Sequence, residues 1–199
     1  MKRFSVVLML ACATLLSGCG YNSIQALDEE VKASWSEVVN QYQRRADLVP
    51  NLVNTVKGFA QQEKDVLLGV TEARAKVGSI QATPELANDP AALDRFIKAQ
   101  GEMTSALSRL LVVTENYPQL KSNENVKSLQ EEISSTENKI SFARQFYNDI
   151  ATKMNIARQT FPANLVANNF GFGAVELFQI TDDADRAVPT VDLGMKPPA

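Results

Sequence analysis

The feature that most constrains the fold is a spacing that alternates between three and four residues through three long segments of the chain. Apolar side chains that recur about every 3.5 residues predict α-helices packed along a common seam, as in left-handed helical bundles. No segment of alternating β-branched residues bounded by turns competes with this pattern. The seam of the first segment contains Trp35, Val38, Tyr42, Arg45, Val49, Leu52, Val56, Phe59, Glu63, Val66, Val70, Ala73 and Val77. The second seam contains Leu93, Phe96, Gln100, Met103, Leu107, Leu110, Thr114 and Tyr117. The third seam contains Val126, Leu129, Ile133, Thr136, Ile140, Ala143, Tyr147, Ile150, Met154, Ala157 and Phe161. The sequence therefore predicts an all-α, elongated antiparallel bundle of three long helices with a C-terminal cap and tail.

Glycine, proline and capping residues mark the ends of the predicted helices. Gly78 ends the first helix, and Asp89, followed by a proline, caps the start of the second. Tyr117 ends the second helix, because the residue before a proline avoids the helical region. Ser122 or Asn123 caps the third helix. Together with the N-terminal export signal described below, these signals divide the chain into a signal peptide, a lipidated N-terminus with a short linker, a helical bundle and a flexible tail, at residues 1–18, 19–22, 23–180 and 181–199.

The first helix presents a problem of length. At the helical rise per residue, residues 23–77 would extend about 80 Å, whereas the second and third helices would extend about 40 and 60 Å. The first helix therefore overhangs the others or doubles back at residues 47–50. We favour one continuous helix kinked at Pro50, because the seam keeps its phase there and no glycine or asparagine marks a helix end. The alternative splits the helix at Pro50 and gives four helices.

Arg45 occupies a seam position that elsewhere is mostly apolar. Either its stem packs while its head reaches water, or it forms a buried ion pair that fixes the register of the bundle. If helices one and three run parallel, the nearest acids are Glu131, Glu132 and Glu137. Polar groups of helix three would then also satisfy the carbonyl of Ala46, which the proline frees. The candidate structural or partner-reading feature comprises Arg44, Arg45, Asp47, Pro50 and Asn51.

The N-terminus has the pattern of an export signal. A short basic region precedes an apolar run from Phe4 to Leu16, which is shorter than the roughly 20 residues of a membrane-spanning helix. The following Leu-Ser-Gly-Cys resembles the bacterial lipobox, which predicts cleavage between Gly18 and Cys19 and acylation of Cys19 with chains such as palmitate. Because Gly20 rather than aspartate follows, resemblance to Gram-negative sorting signals favours the outer membrane, with the bundle in the periplasm.

Composition excludes several classes of function. Removing Lys2 and Arg3 from the 20 basic residues leaves 18 against 23 acidic residues, and a net charge of −5 argues against nucleic acid as a partner. The chain has no histidine, so it lacks the commonest general base and the usual zinc ligands. Cys19 is the only cysteine of the mature chain, which excludes an internal disulfide. The acidic cluster at residues 182–185 lacks the glycine and distal glutamate of an EF-hand loop, so we predict neither a metal nor a cofactor.

Several strings of the chain are distinctive. They are Tyr21-Asn22, EEVKASWSEVVNQYQRRADLVPNLVNTVKGFAQQE, EARAKV, YPQLKSNENVKSLQEEISSTENKISFARQFYND, FPANLVA and FGF. Together they span most of residues 21–172 and resemble the LemA family of bacterial envelope proteins. The resemblance implies an elongated helical domain, tethered to a membrane near its N-terminus, with no agreed enzymatic activity. Many members of that family use an N-terminal membrane helix, whereas this chain carries a lipobox.

Three functions are compatible with this sequence. The leading hypothesis is a non-enzymatic scaffold or adaptor for other envelope proteins, because long helical bundles offer extended faces to partner helices. The second is a lipid-binding or membrane-shaping protein, in which the phenylalanines between Phe161 and Phe178 touch a bilayer rather than cap the bundle. The third and least favoured is an envelope hydrolase that uses carboxylates, because no paired acids stand in a recognisable context.

Overall fold

The computed structural model describes residues 2–59 and 62–179, with side chains described from Gly20 onward. All regular structure in these residues is helical. The α-helices are α1 (Lys2–Lys57), α2 (Lys64–Gly78), α3 (Pro90–Asn116), α4 (Pro118–Lys121), α5 (Glu124–Ala157) and α6 (Ala163–Phe170), and a 3-10 helix spans Pro84–Asn88. The predicted all-α bundle is therefore confirmed, whereas the predicted tail at residues 181–199 lies outside the described residues.

The first helix is shorter than predicted. It is continuous through Pro50, as expected, so the alternative split at that proline is wrong. It ends at Lys57, however, and the chain reverses before α2 instead of continuing to Val77. Gly58 follows Lys57, and glycine weakens a helix because it has no side chain to restrict the backbone. The unbroken phase of the seam was misleading, because both arms of a hairpin direct their apolar residues at the same core.

This additional reversal changes the direction of the last long helix. Arg44 of α1 contacts Glu132 of α5, and Trp35 contacts Tyr147, so residue numbers rise on α1 while they fall on α5. The two helices are antiparallel, and the predicted parallel arrangement of helices one and three is wrong. Four arms, α1, α2, α3 and α5, run up, down, up and down, as in simple helical bundles.

The predicted caps of α3 and α5 are confirmed. The Asp89 carboxylate accepts hydrogen bonds from the backbone N–H groups of Ala91 and Ala92 at 2.9 and 3.1 Å. The Asn123 side chain accepts from the N–H groups of Asn125 and Val126 at 2.9 and 3.3 Å. These bonds satisfy helix N–H groups that have no partner within the helix.

The buried apolar side chains form two separate clusters along the bundle. The N-proximal core lies near the start of the described side chains and contains Ile24, Val31, Trp35, Val38, Tyr42, Leu86, Ala87, Leu93, Phe96, Ile140, Ala143, Tyr147, Ile150, Ala151, Met154, Ala167, Val175 and Phe178. The distal core contains Leu48, Val49, Leu52, Val56, Leu67, Val70, Ala73, Met103, Ala106, Leu107, Leu110, Val113, Leu120, Val126 and Ile133. Every long arm except α2 contributes to both clusters, so a single set of helices carries two hydrophobic cores.

Candidate functional site

A polar layer separates the two cores at the level of Arg45. On α1 the layer lies between Tyr42 and Leu48, the nearest members of the two clusters. Gln100 of α3 and Glu137 of α5 are at the same level. We call Arg45, Gln100, Thr104 and Glu137 the Arg45 layer. Its position explains why the seam carries an arginine, because the side chain meets polar groups from two other arms.

The Arg45 guanidinium is held by a dense set of hydrogen bonds. Nη1 donates to Thr104 Oγ1 and to Glu137 Oε1, both at 2.7 Å. Nη2 donates to Gln100 Oε1 at 2.6 Å and to the Gln100 carbonyl at 3.2 Å. Thr104 in turn donates to the same carbonyl at 3.1 Å. The planar fork of arginine suits this arrangement, since it presents several donors in fixed directions.

The Arg45–Glu137 ion pair is buried on one side and open on the other. The Arg45 side chain is 2% exposed, whereas that of Glu137 is 34% exposed. The reading of Arg45 as a buried pair is therefore favoured over a snorkelling arginine, and Glu137 is one of the three acids expected from the sequence. The Arg45 Nε has no hydrogen-bond partner among the described residues.

An open groove of about 960 Å³ borders the layer and is lined by Tyr42, Arg45, Glu137 and Arg144 among others.

Tyr42 lies directly above the layer on α1. The Arg45 guanidinium carbon is 5.2 Å from the centroid of its ring, within the range of cation–π attraction. Burial raises the pKa of Tyr42, although the nearby charges of Arg144 and Arg45 act in the opposite direction. The arginine thus joins the polar layer to the aromatic side chains of the N-proximal core.

The carbonyl of Ala46 does have a donor, but on a different helix from the one expected. Pro50 cannot donate to it, and Arg74 Nε of α2 donates instead at 2.9 Å. The prediction that helix three would satisfy this carbonyl is wrong, because α2 folds back along α1 and brings Arg74 to this position. The carbonyl that Pro50 leaves without a donor is therefore satisfied only because α1 and α2 form a hairpin, which was not predicted.

The remaining residues of the predicted feature are dispersed at the surface. Arg44 forms an exposed ion pair with Glu132 at 2.9 Å. Asp47 accepts a hydrogen bond from Gln43 at 2.8 Å, and Asn51 is exposed and accepts through its carbonyl from Thr55 at 2.8 Å. The structure thus places Arg45 in a buried layer and leaves Arg44, Asp47 and Asn51 as solvent-facing neighbours.

A second line of residues with heptad spacing faces solvent on α5. We call it the outer seam, and it consists of Ser135, Lys139, Phe142, Phe146, Asp149, Lys153 and Ile156. All seven are exposed, and Phe142 and Phe146 are 72% and 57% exposed. Exposed phenylalanines one turn apart are uncommon on the surface of a helix that already buries its other face. This seam was not predicted, because on each helix a more strongly apolar spacing marks the buried face.

The chain after α6 caps the N-proximal core. Val175 and Phe178 are buried, and the Phe178 ring stacks on Trp35 at a centroid distance of 5.7 Å. The side-chain amides of Asn148 and Asn155 hold this segment. Asn148 exchanges two hydrogen bonds with the backbone of Phe178 at 2.9 and 3.0 Å, and Asn155 does the same with Val175 at 3.0 and 2.7 Å. The capping interpretation is thus favoured for this part of the phenylalanine-rich segment.

Tyr147 completes the attachment of that segment. Its hydroxyl donates to the Glu176 carbonyl at 2.8 Å. Burial is the main cause that raises the pKa of Tyr147, and the Glu176 carboxylate acts in the same direction. Asparagines spaced by one heptad on α5 are the signal that could have revealed this docking site in the sequence.

Two further features of the described residues bear on chemistry and anchoring. Among the described side chains, those of residues 20–59 and 62–179, no three acidic or thiol groups are placed so that they could hold a metal ion. Over the same part of the chain, none of the helices combines the length and the apolar character needed to cross a bilayer. The side chain of Cys19 and the acidic cluster at residues 182–185 are outside the described atoms, so the lipidation and tail assignments stay predictions.

The fold and its polar layer define an elongated bundle of four arms with a buried arginine between two cores. A family model described as the LemA family matches residues 34–193, so the chain belongs to the LemA family. The chain is 29% identical over 197 residues to magnetosome protein MamQ 2 of Paramagnetospirillum magneticum, covering 91% of this chain and 72% of the relative. It is 27% identical over 206 residues to magnetosome protein MamQ of Magnetospirillum gryphiswaldense, covering 96% and 75%. Protein LemA of Metamycoplasma hominis is 25% identical over 172 residues, covering 86% of this chain and 74% of the relative.

Proposed function

We propose that this protein is a non-enzymatic envelope lipoprotein that presents a helical scaffold to another envelope protein. The observation that carries the proposal is the outer seam of α5, where Phe142 and Phe146 lie exposed at the spacing of a coiled-coil interface. A partner helix placed against α5 would cover both rings, as in the pairing of helices in a coiled coil. The names of the relatives, magnetosome proteins and a LemA protein, specify no reaction, which agrees with a scaffold role.

The charges on the outer seam support a protein partner rather than a simple apolar surface. Lys139 precedes Phe142 by three residues, and Asp149 follows Phe146 by three residues. Charged residues that flank an apolar pair set the orientation and choice of a partner helix. The partner helix would therefore carry an acid opposite Lys139 and a base opposite Asp149.

The proposed anchor is the acylated Cys19. Each buried methylene group contributes roughly 0.8 kcal/mol to membrane binding, so several acyl chains would hold the bundle permanently at the bilayer. The glycine after the cysteine supports placement at the outer membrane, facing the periplasm. Labelling of cells with an alkyne palmitate should mark the wild-type chain and not Cys19→Ser, and equal labelling of both would reject the anchor.

The scaffold role is tested by photocrosslinking in living cells. A benzoylphenylalanine placed at Phe142 or Phe146 should form a crosslink to one envelope protein, and the same probe at Val112 should not. Val112 is a suitable control because it is also exposed, at 56%, but it lies on α3 away from the outer seam. Phe142→Ser with Phe146→Ser should remove the complex while the helical circular dichroism is unchanged.

Two results would contradict the scaffold proposal. Equal crosslinking from all three positions would show that the outer seam has no preferred partner. A crosslinked species of twice the mass of the chain would show that the seam joins two copies of this protein, and the adaptor role would then be rejected.

A further inference from the structure

A second exposed apolar surface lies at the end of the bundle where the N-terminal segment joins it. Phe161 and Phe170 are 72% and 66% exposed, and Leu165 between them is also exposed. We call these three residues the end patch. They are not needed for the core, because α6 already contributes Ala167 to it while Ala163 and Val166 pack against it.

The end patch is fixed to the base of α1 by direct packing. A Cβ atom on Gly20 would lie 3.6 Å from Val166 Cγ2 and 3.7 Å from Ala163 Cα, so the backbone of α1 and α6 are in close approach at this point. Tyr21 packs edge-on against the Phe170 ring with a centroid distance of 4.9 Å. The end patch therefore lies at the level of Gly20 and Tyr21 along α1.

That level is adjacent to the membrane if Cys19 carries the proposed lipid. Cys19, the predicted lipid attachment, immediately precedes Gly20. The anchor thus brings the bilayer surface to the same level as the exposed rings of α6.

The charge of the segment is suited to a lipid surface. Between Asp149 and Glu176 the sequence has no carboxylate, and its only charged residues are Lys153 and Arg158. In the chain as a whole, Asp and Glu outnumber Lys and Arg by 23 to 20. A segment without acids avoids repulsion from anionic headgroups, and aromatic rings are favoured at the boundary between headgroups and acyl chains.

We propose that the end patch lies in the headgroup region of the bilayer and fixes the bundle at one orientation to the membrane. This inference rests on the membrane anchor of the proposed function, but not on the partner at the outer seam. An acyl anchor at Cys19 alone would let the bundle rotate about its attachment point, whereas two adjacent contacts restrict it. The outer seam would then be held at a defined direction relative to the membrane surface.

The inference is tested with an environment-sensitive dye on the full acylated chain. Acylation of Cys19 leaves the mature chain without a free thiol, so a single new cysteine can be labelled selectively. The dye NBD is attached to Phe161→Cys, Leu165→Cys or Phe170→Cys, with Val112→Cys in the distal half as the matched exposed control. Each protein is reconstituted into phosphatidylethanolamine and phosphatidylglycerol vesicles that contain a lipid with a nitroxide on its acyl chain.

We expect the three end-patch labels to be blue-shifted and quenched by the nitroxide lipid, while the label at position 112 is not. Unquenched labels at all three positions, on protein that floats with the vesicles, would overturn the end-patch proposal and leave the anchor intact. Protein that fails to float would instead reject the anchor itself. Quenching at position 112 equal to that at position 170 would show a bundle lying without a fixed orientation and would also overturn the proposal.

Discussion

The N-proximal and distal cores differ in their side chains although α1, α3 and α5 pass through both. The N-proximal core brings Trp35, Phe96, Tyr147 and Phe178 into ring contacts at centroid distances from 5.4 to 5.8 Å. Among the described residues, the buried members of the distal core are all aliphatic or methionine. The distal core thus relies on apolar volume and periodic spacing, whereas the N-proximal core relies on particular rings in particular orientations.

The difference follows from what each core must hold. The distal core packs helices against helices, and several aliphatic combinations would fill the same space. The N-proximal core also holds the irregular segment after α6, whose backbone must find hydrogen bonds outside a helix. Asn148, Asn155 and Tyr147 provide these bonds. The N-proximal end of the bundle, nearest the proposed membrane, therefore depends on more specific side-chain contacts than the distal end does.

The largest expected effect is that of Trp35→Ala. Trp35 is 1% exposed, contacts three rings, and donates from Nε1 to the Ala82 carbonyl at 3.2 Å. We expect a loss of about 3–5 kcal/mol in the free energy of unfolding. Amide hydrogen exchange should rise first at Val175 and Phe178, because the Phe178 ring loses its stacking partner.

Leu110→Ala in the distal core is the control for this comparison. A fully buried leucine costs about 2–5 kcal/mol when truncated, so the global loss should be similar in size. Its exchange effects should nevertheless be confined to the distal half and leave Val175 protected. If both variants raised amide hydrogen exchange equally in both halves, the two halves would unfold as one cooperative unit despite the Arg45 layer between them.

The next effect concerns the layer itself. Arg45→Ala should cost about 3 kcal/mol, because it leaves Gln100 and Glu137 without the buried partner that satisfies them. The 34% exposure of Glu137 limits the loss, since water can reach the abandoned carboxylate. A double-mutant cycle with Glu137→Ala, measured by urea denaturation, should give a coupling energy of roughly 0.5–3 kcal/mol. If the losses in the two single variants summed to the loss in the double variant, the interaction between Arg45 and Glu137 would contribute nothing to the free energy of unfolding.

Much of the bundle was predictable from spacing alone. The seam positions on α3 are buried from Leu93 to Thr114, and the caps at Asp89 and Asn123 are where the sequence placed them. These features depend on local geometry, which a heptad repeat and a capping residue specify directly. A buried pair for Arg45 was one of two interpretations that the sequence left open, and Glu137 was among the acids named for it, although on the assumption that helices one and three run parallel.

The turn after Lys57 was not predictable from spacing, and its omission produced the other errors. Periodicity reports which residues face a core but not the direction in which the chain runs. The mismatch in helix lengths indicated that a reversal was required, and Gly58 was the local signal for it. The direction of α5 and the donor to the Ala46 carbonyl then depend on that reversal, so neither could be obtained without it.

The smallest expected effect compares two glycines, one at each end of the bundle. Gly171 ends α6 with a φ of 76°, and the N–H of Phe172 donates back to the Ala167 carbonyl at 3.0 Å, which is the pattern of a Schellman motif. A Cβ atom there would meet nothing within 4 Å, so the cost of Gly171→Ala comes from the left-handed backbone alone, about 1–2 kcal/mol.

Gly58 differs because its φ is not positive, and an added Cβ would lie 3.6 Å from the Thr55 carbonyl oxygen, an ordinary contact. Gly58→Ala should therefore be neutral or stabilise the fold by about 0.4–1 kcal/mol through reduced freedom of the unfolded chain. Thermal unfolding of the two variants measures both effects. A Gly58→Ala protein as weakened as Gly171→Ala would mean that the distal turn is as tightly specified as the end of α6, and the contrast between the two ends of the bundle would not hold.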